Sequence, residues 1–344
     1  MIDLSLLRQA MDQNLEFKVK EAFEGKQQLN ISYLTSFMAE LYKYHPPEKV
    51  KWKFKCILTT EEINYSKGKI VHRAELFRDF SSSMCILLIS NDKCLVSGLD
   101  DHTFDETKAV IYTYENGVEI FKANGKIIEV PNPDSASISI FAKPTFKDLD
   151  EALWIYYNKR AKTSICTKLR ECWISSDRLR FKAGPEHIMR DSLYYFLDTG
   201  LRGSPIVKRE QNVDDTDPVD IKVSWSWSNA SALIEVKWLG KSFDPNSKKQ
   251  TKDFSQARAI DGAQQLQNYL KVSNEENPEI YFKGYLVLFD GRRRGLGTSF
   301  TTVPKSDQAW YYKEKEIPYP ESVQNDSHLQ SYRFYLEPTA VAEG

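Results

Sequence analysis

The sequence is poor in the residues that build disulfide frameworks and zinc sites. Only five of its 344 residues are cysteine and five are histidine, and they are scattered without a CxxC pair or the spacing of zinc ligands. An odd number of dispersed cysteines favours free thiols in a reducing compartment, so we expect a cytoplasmic protein. Any bound metal is then expected to be a hard cation on carboxylate oxygens.

Long apolar runs and an excess of one charge are missing too. The apolar run at 84–89 is far too short to cross a bilayer, and the first residues lack the pattern of a secretory signal, so we expect no membrane partner. Lysine and arginine number 47 against 48 acidic residues, for a formal net charge of −1. This balance excludes a uniformly basic protein but not an enzyme with a local basic groove.

The length of the chain predicts two or three domains, at roughly 100–200 residues each. A break in the pattern at 131–135, rich in proline, favours one boundary nearby. We therefore expect a β-rich α+β domain over 1–145, acting in recognition, sensing or assembly, and a second domain over 146–344.

Hydrophobic periodicity predicts the main elements of both parts. In the first part it indicates a helix over 34–42 and a strand over 52–58, and two Asn-Gly turns indicate an antiparallel meander over 110–130. In the second part it indicates helices over 148–160, 184–200 and 257–272, strands over 206–213, 220–225, 232–238 and 280–289, and a long polar loop over 240–254.

One predicted strand carries charges among apolar residues. Leu233, Glu235 and Lys237 share one of its faces, since side chains alternate along a strand. Charges held in an apolar strand must pair with each other or bind a metal. The acid-x-Lys tripeptide recurs elsewhere in the chain, for example at Glu16-x-Lys18, so by itself it is more typical of a surface salt bridge on an edge strand.

The context of this strand adds three features. Asp220 opens the strand that we expect to pair with it. Glu186 lies at the end of an apolar helical stripe, either as a site residue or as a carboxylate that stabilises the helix N-terminus. Gln265 and Tyr269, four residues apart, share a helical face, which by itself fits a partly buried polar stripe.

The ordered set of Glu186, Pro218-x-Asp220, Glu235-x-Lys237 and Gln265-xxx-Tyr269 resembles the PD-(D/E)XK nuclease superfamily. Its RecB-like branch, which carries a QxxxY helix, is the most similar, over about 185–290. The chain departs from that branch in having Glu rather than Asp at 235, and in the long loop before the QxxxY helix. The resemblance implies an α/β fold with a restriction-endonuclease-like core, in which helices flank a mixed central sheet.

The resemblance also implies roles for these residues. Asp220, Glu235 and the Val236 carbonyl would bind Mg²⁺, with Mn²⁺ as a substitute, and Glu186 would bind through water or a second ion. Lys237 would orient or deprotonate the attacking water. Gln265 and Tyr269 would position the scissile strand or the Lys237 side chain. Mg²⁺ suits such a site, because it prefers oxygen ligands and activates bound water.

Basic residues near these motifs suggest contacts with a phosphate backbone. One group, Lys248, Lys249 and Lys252, lies in the predicted loop, and Arg292, Arg293 and Arg294 follow the last predicted strand. Solvated surface charge is the alternative for both groups. We expect the partner to be DNA, with RNA left open.

Together these observations predict a metal-dependent DNA endonuclease, by analogy one that acts in bacterial anti-phage defence. Its first domain would mediate homo-oligomer formation or bind a partner protein. Two alternatives stay open: a type II restriction endonuclease that reads its own sequence, and an inactive nuclease fold that serves as a nucleic-acid-binding or scaffold protein.

Overall fold

The computed structural model describes residues 4–26, 29–102, 104–130, 139–212, 218–299 and 305–339. It divides into two compact units, one of Met1–Asp148 with Ser226–Asn229 and one of Leu149–Trp225 with Ala230–Gly344. Each unit contains a mixed β-sheet flanked by helices, so the fold is α/β. The break predicted at 131–135 lies outside the described residues.

The first unit builds a seven-stranded sheet in the order β2-β4-β3-β1-β5-β6-β7. Its elements are α1 (Leu4–Ala22), α2 (Ile31–Tyr44), β1 (Phe54–Thr59), β2 (Lys69–His72), α3 (Arg73–Asp79), β3 (Met84–Leu88), β4 (Lys93–Ser97), β5 (Ala109–Glu115), β6 (Val118–Ala123) and β7 (Lys126–Ile128), with short 3₁₀ turns at Tyr65–Lys67 and Glu106–Lys108. Strands β1 and β3 are parallel and the other paired strands are antiparallel.

The meander predicted over 110–130 is confirmed as β5, β6 and β7. Both residues of its first turn are left-handed, with φ of 49° at Asn116 and 81° at Gly117, as a type I′ turn requires. The predicted helix over 34–42 is confirmed as α2, and the predicted strand over 52–58 as β1. Helix α1 was not predicted from the sequence.

The second unit follows the predicted order with additions. Its elements are α4 (Phe146–Tyr156), which continues as a π-helical turn over Tyr157–Ala161, then α5 (Thr167–Glu171), β8 (Phe181–Lys182), α6 (Glu186–Gly200), β9 (Ile206–Asn212), β10 (Pro218–Trp225), β11 (Ala230–Phe243), β12 (Gln250–Phe254), α7 (Gln256–Glu276), β13 (Tyr281–Asp290), α8 (Ser306–Trp310), α9 (Glu321–Gln324) and β14 (Leu329–Tyr335).

Strand β11 is the centre of the second sheet, whose main order is β14-β13-β11-β10-β9. It pairs parallel with β13 and antiparallel with β10, and nearly all of its residues are buried. Helix α7 covers one face of the sheet, where Ala263 and Leu266 pack with Leu233 and Leu286. This packing gives the strand one face toward α7, and the charged residues lie on it.

The prediction of a long loop over 240–254 is wrong. Strand β11 runs on to Phe243, and β12 pairs with its end to form a β-hairpin, with Gly240 opposite Phe254. Strand β12 is mostly exposed and polar, so it lacks the apolar alternation that predicts a strand. No helix in the described part of the chain is long and apolar enough to cross a membrane.

Candidate active site

A buried ion pair lies on the α7 face of β11. Glu235 is 2% and Lys237 is 6% exposed, and Lys237 Nζ donates a hydrogen bond to Glu235 Oε1. The other carboxylate oxygen, Oε2, is buried and has no hydrogen-bond partner among the described residues. A buried charged oxygen without a partner is costly, so Oε2 is a candidate ligand for a cation.

A glycine in α7 makes room for the lysine. A Cβ atom at Gly262 would lie 2.8 Å from Lys237 Cγ and 3.2 Å from Leu286 Cδ1. Both distances are shorter than ordinary van der Waals contact, so any larger residue would push against the lysine stem. Gly262 therefore lets α7 lie directly on the ion pair.

Asp220 lies beside the pair at the start of β10. The register pairs Ile221 with Ile234, and one more step along it sets Asp220 opposite Glu235. Oδ2 of Asp220 accepts a hydrogen bond of 2.8 Å from the Val236 N–H. The N–H and C=O of one strand residue point to the same side, so the Val236 carbonyl also faces the β10 side. This places the expected ligand residues Asp220, Glu235 and Val236 next to one another.

Each carboxylate has a cation of its own. Arg190 Nη1 lies 3.1 Å from Asp220 Oδ1, and its Nη2 lies 2.7 Å from Glu210 Oε1. Arg258, in the first turn of α7, lies 3.2 Å from Glu186 at the start of α6. Lys237 serves Glu235 in the same way.

The electrostatics of Glu235 reflect its burial. Desolvation first, and then the negative charge of Asp220, raise the pKa of Glu235 to about 7, with a smaller rise from Glu186. Lys237 acts in the opposite direction and does not cancel these effects. A divalent cation near Oε2 would favour the ionised carboxylate, so the site is electrostatically suited to bind one.

The three predicted carboxylates do not form a ready-made cluster. Among the described residues, no group of three or more His, Cys, Asp or Glu side chains stands close enough to hold a metal ion. Glu186 is instead engaged by Arg258. Asp220, Glu235 and the Val236 carbonyl stay the predicted direct ligands of a hard cation, and binding by Glu186 through water or a second ion stays a prediction.

Gln265 and Tyr269 lie farther along α7. Gln265 Nε2 donates a hydrogen bond to the Tyr269 hydroxyl, and Tyr269 is almost fully buried in the core beneath the helix. Gln265 and Tyr269 come about one and two turns after Gly262, and residues at this spacing lie on the same face of a helix. Their predicted role in positioning a strand or Lys237 stays a prediction.

Two of the three arginines after β13 lie in the interior, which corrects their assignment to phosphate contacts. Arg292 makes a two-pronged contact with the fully buried Asp290, at 3.0 and 2.7 Å. Arg293 donates to the carbonyl oxygens of Leu336 (2.6 Å) and Arg178 (3.0 Å). Their guanidinium groups stabilise buried acceptors rather than face solvent.

Arg294 and the three lysines are exposed, as a phosphate-binding role requires. Lys248 and Lys249 lie at the tip of the β11–β12 hairpin, and Lys252 lies on β12. The hairpin meets the segment that follows Arg294, because the Gln250 N–H donates to the Thr298 carbonyl at 3.2 Å. The fold therefore brings together two basic segments that are distant in sequence.

Sequence reasoning missed Arg190 and Gly262 as parts of this site. Arg190 follows Glu186 by four residues, so both project from one face of α6, and this spacing was a usable signal. Gly262 was detectable as an isolated glycine inside a helical pattern, which points to close packing. Neither signal names the partner, because both partners lie on other elements.

Comparison of the chain with protein-family models, with curated proteins and with solved structures found no match.

The first prediction concerns Gly262. Gly262→Ala gains about 1 kcal/mol of helix propensity, but overpacking costs about 1–3 kcal/mol. We expect a net loss of stability, measured as the free energy of unfolding in denaturant. The control is Gly200→Ala, where the nearest atom would lie 4.0 Å away and no loss is expected. Equal effects of the two changes would contradict the packing of α7 on Lys237.

The second prediction concerns pH. Because the pKa of Glu235 is raised in the folded protein, the unfolded chain loses the Glu235 carboxyl proton at a lower pH than the folded chain does. The stability that protonated Glu235 contributes is therefore lost as the pH rises from about 4.5 to about 7. Between pH 5 and pH 7.5, with chelator present, the wild type should lose about 2 kcal/mol more unfolding free energy than Glu235→Gln. Parallel pH profiles for the two proteins would show that Glu235 does not titrate in this range.

Proposed function

We propose that this chain is a metal-dependent nuclease that hydrolyses phosphodiester bonds in DNA. The observation that carries the proposal is the buried Glu235–Lys237 pair. In the part of the chain that the structure describes, Glu235 Oε2 has no hydrogen-bond partner, and Asp220 accepts a hydrogen bond from the Val236 N–H. The arrangement of β11 between an antiparallel β10 and a parallel β13, with α6 and α7, supports a restriction-endonuclease-like core. The role in anti-phage defence stays a prediction from the resemblance.

Asp220, Glu235 and the Val236 carbonyl would hold Mg²⁺, or Mn²⁺ in its place. The bound ion supplies charge neutralisation and an activated water. Lys237 contributes a proton donor that Glu235 fixes at the floor of the site, where it can orient a water or stabilise developing negative charge. Gly262 keeps α7 close and so helps to exclude bulk water from the pair.

A second candidate function is supported by the pairing of the carboxylates. Lys237, Arg190 and Arg258 each neutralise one of them. Such a network also suits a nuclease fold that binds nucleic acid, or serves as a scaffold, without cleaving. The two functions differ in one respect only, namely whether a divalent cation enters the site and cleavage follows.

The third prediction tests cleavage. Supercoiled, linear and single-stranded DNA, and RNA, are incubated with Mg²⁺ or with EDTA. We expect cleavage of DNA with Mg²⁺, and a loss of about 100-fold or more in both Lys237→Ala and Asp220→Asn. Lys237→Ala removes the positive charge that would stabilise the transition state, and Asp220→Asn removes a charged oxygen ligand of the metal ion. Lys283→Ala is the matched control, since Lys283 lies on the other face of the sheet and pairs with Asp150.

Thermal melting of each variant separates lost chemistry from lost folding. Cleavage by Lys237→Ala at the wild-type rate would make the pair a structural salt bridge. Intact wild-type protein that binds DNA but never cleaves it would favour the non-catalytic candidate.

The fourth prediction concerns the basic surface. Arg294→Ala, and Lys248→Ala with Lys249→Ala, should weaken DNA binding and flatten its salt dependence by about one unit of slope per lost phosphate contact. Affinity is measured by fluorescence anisotropy in EDTA at several salt concentrations. Arg292→Ala should instead lower stability, because it strips the buried Asp290 of a partner. An unchanged slope in the exposed variants would place the DNA elsewhere.

A further inference from the structure

The second unit contains a cavity that shares no lining residue with the candidate active site. Its volume is about 520 Å³, and it is formed by residues within 163–178, around α5 and the segment that leads to β8. Cavities of roughly 300–1,000 Å³ are typical of sites for small molecules. The cavity is therefore large enough for a ligand of nucleotide size.

Two guanidinium groups give the cavity a positive wall. Arg170 is exposed, and its side chain has no hydrogen bond or ion pair with any described residue. Arg178 uses its Nε to bond the Glu337 carbonyl at 2.6 Å, and its two terminal nitrogens have no acceptor among the described residues. Guanidinium groups with unused N–H donors are suited to bind phosphate or carboxylate.

Acidic side chains near Arg178 have other partners. Glu337, whose charge acts on Arg178, pairs with Lys162 at 3.6 Å and with Lys313 at 3.2 Å. Among the described residues that line the cavity, none is aspartate or glutamate. Asp177 precedes Arg178 in the chain, but its Oδ1 accepts hydrogen bonds from Ser175 Oγ at 2.6 Å and from the Leu179 N–H at 3.0 Å. The cavity thus offers positive charge, as an anionic ligand requires.

The backbone of the cavity is held in an unfavourable conformation. Ser164 and Arg178 both line it and both have positive φ, 48° and 57°, which residues with a Cβ rarely adopt. The buried Arg293 donates to the Arg178 carbonyl at 3.0 Å, and Trp173 Nε1 donates to Ser164 Oγ at 3.0 Å. These contacts hold the backbone at Ser164 and Arg178 in place, and with it the position from which the Arg178 side chain starts.

The cavity lining also contains apolar side chains. Ile165 is 56% exposed, although it is a large apolar side chain, and Ile174 and Trp173 lie in the same lining. A ligand with an apolar or planar part beside its anionic group would cover these residues and meet the arginines at once. A bare inorganic anion would leave the apolar part of the lining unused.

We propose that this cavity binds a phosphorylated small molecule of nucleotide size, with its phosphate on Arg170 and Arg178 and its apolar part on Ile165 and Ile174. The site is independent of the proposed nuclease function. Arg293, which was expected to bind a DNA phosphate, is here a positioning residue for Arg178.

The test is isothermal titration calorimetry of the full chain in EDTA with AMP, GMP, CMP and UMP, each measured separately. At least one should bind with a Kd below about 1 mM, and its parent nucleoside and inorganic phosphate should each bind at least about tenfold more weakly. Arg170→Gln should weaken the nucleotide by about tenfold or more, because one charge-assisted contact is lost. Lys168→Gln is the matched control, an exposed cation on the same helix outside the cavity lining, and should bind within about twofold of wild type.

Three results would overturn the proposal. The first is that none of the four nucleotides binds. The second is that Arg170→Gln and Lys168→Gln bind the nucleotide equally well. The third is that the nucleoside or inorganic phosphate binds as tightly as the nucleotide. Melting temperatures of both variants without ligand should match the wild type, since neither side chain has a partner among the described residues.

Discussion

The ion pair between Glu235 and Lys237 is the interaction on which the centre of the second unit depends. Taking two charges out of water costs several kcal/mol per ion, and their attraction offsets this only when geometry and hydrogen bonds are good. Here one carboxylate oxygen of Glu235 has no partner among the described residues, and the neighbouring charge of Asp220 raises the cost further. Apolar residues of similar volume would often be at least as stable. The pair is therefore better suited to the proposed catalytic role than to a purely stabilising one.

The surrounding cations determine how the site responds to a metal ion. Arg190 on α6 and Arg258 on α7 approach the carboxylates from two elements, and both have a buried Nε without a partner among the described residues. These cations lower the cost of holding carboxylates close together, and they also compete with a metal ion for the same oxygens. The affinity of the proposed metal site would thus depend on residues that are not themselves ligands.

The sequence revealed the parts of the site that follow from strand alternation and order. Glu235 and Lys237 share a face because their strand is regular, and Asp220 meets them because a short connection makes β10 and β11 neighbours. The sequence did not show which arginines would be buried. Arg292 is buried against Asp290, which also accepts a hydrogen bond from Arg333 of β14. Helix α1 was not predicted because its buried residues recur only every fourth position from Met11 and are separated by charged residues. Strand β12 was not predicted because an exposed polar strand leaves no hydrophobic pattern.

We propose that Asp220 and Glu235 hold a divalent cation. Binding of Mn²⁺, followed by electron paramagnetic resonance at pH 7.5 in the absence of nucleic acid, tests it without relying on cleavage. The account predicts a bound ion in the wild type and a strong loss of binding in Glu235→Gln and Asp220→Asn, because each change removes a charged oxygen ligand. Binding of Mn²⁺ that is equal in all three proteins, or absent from the wild type, would contradict it.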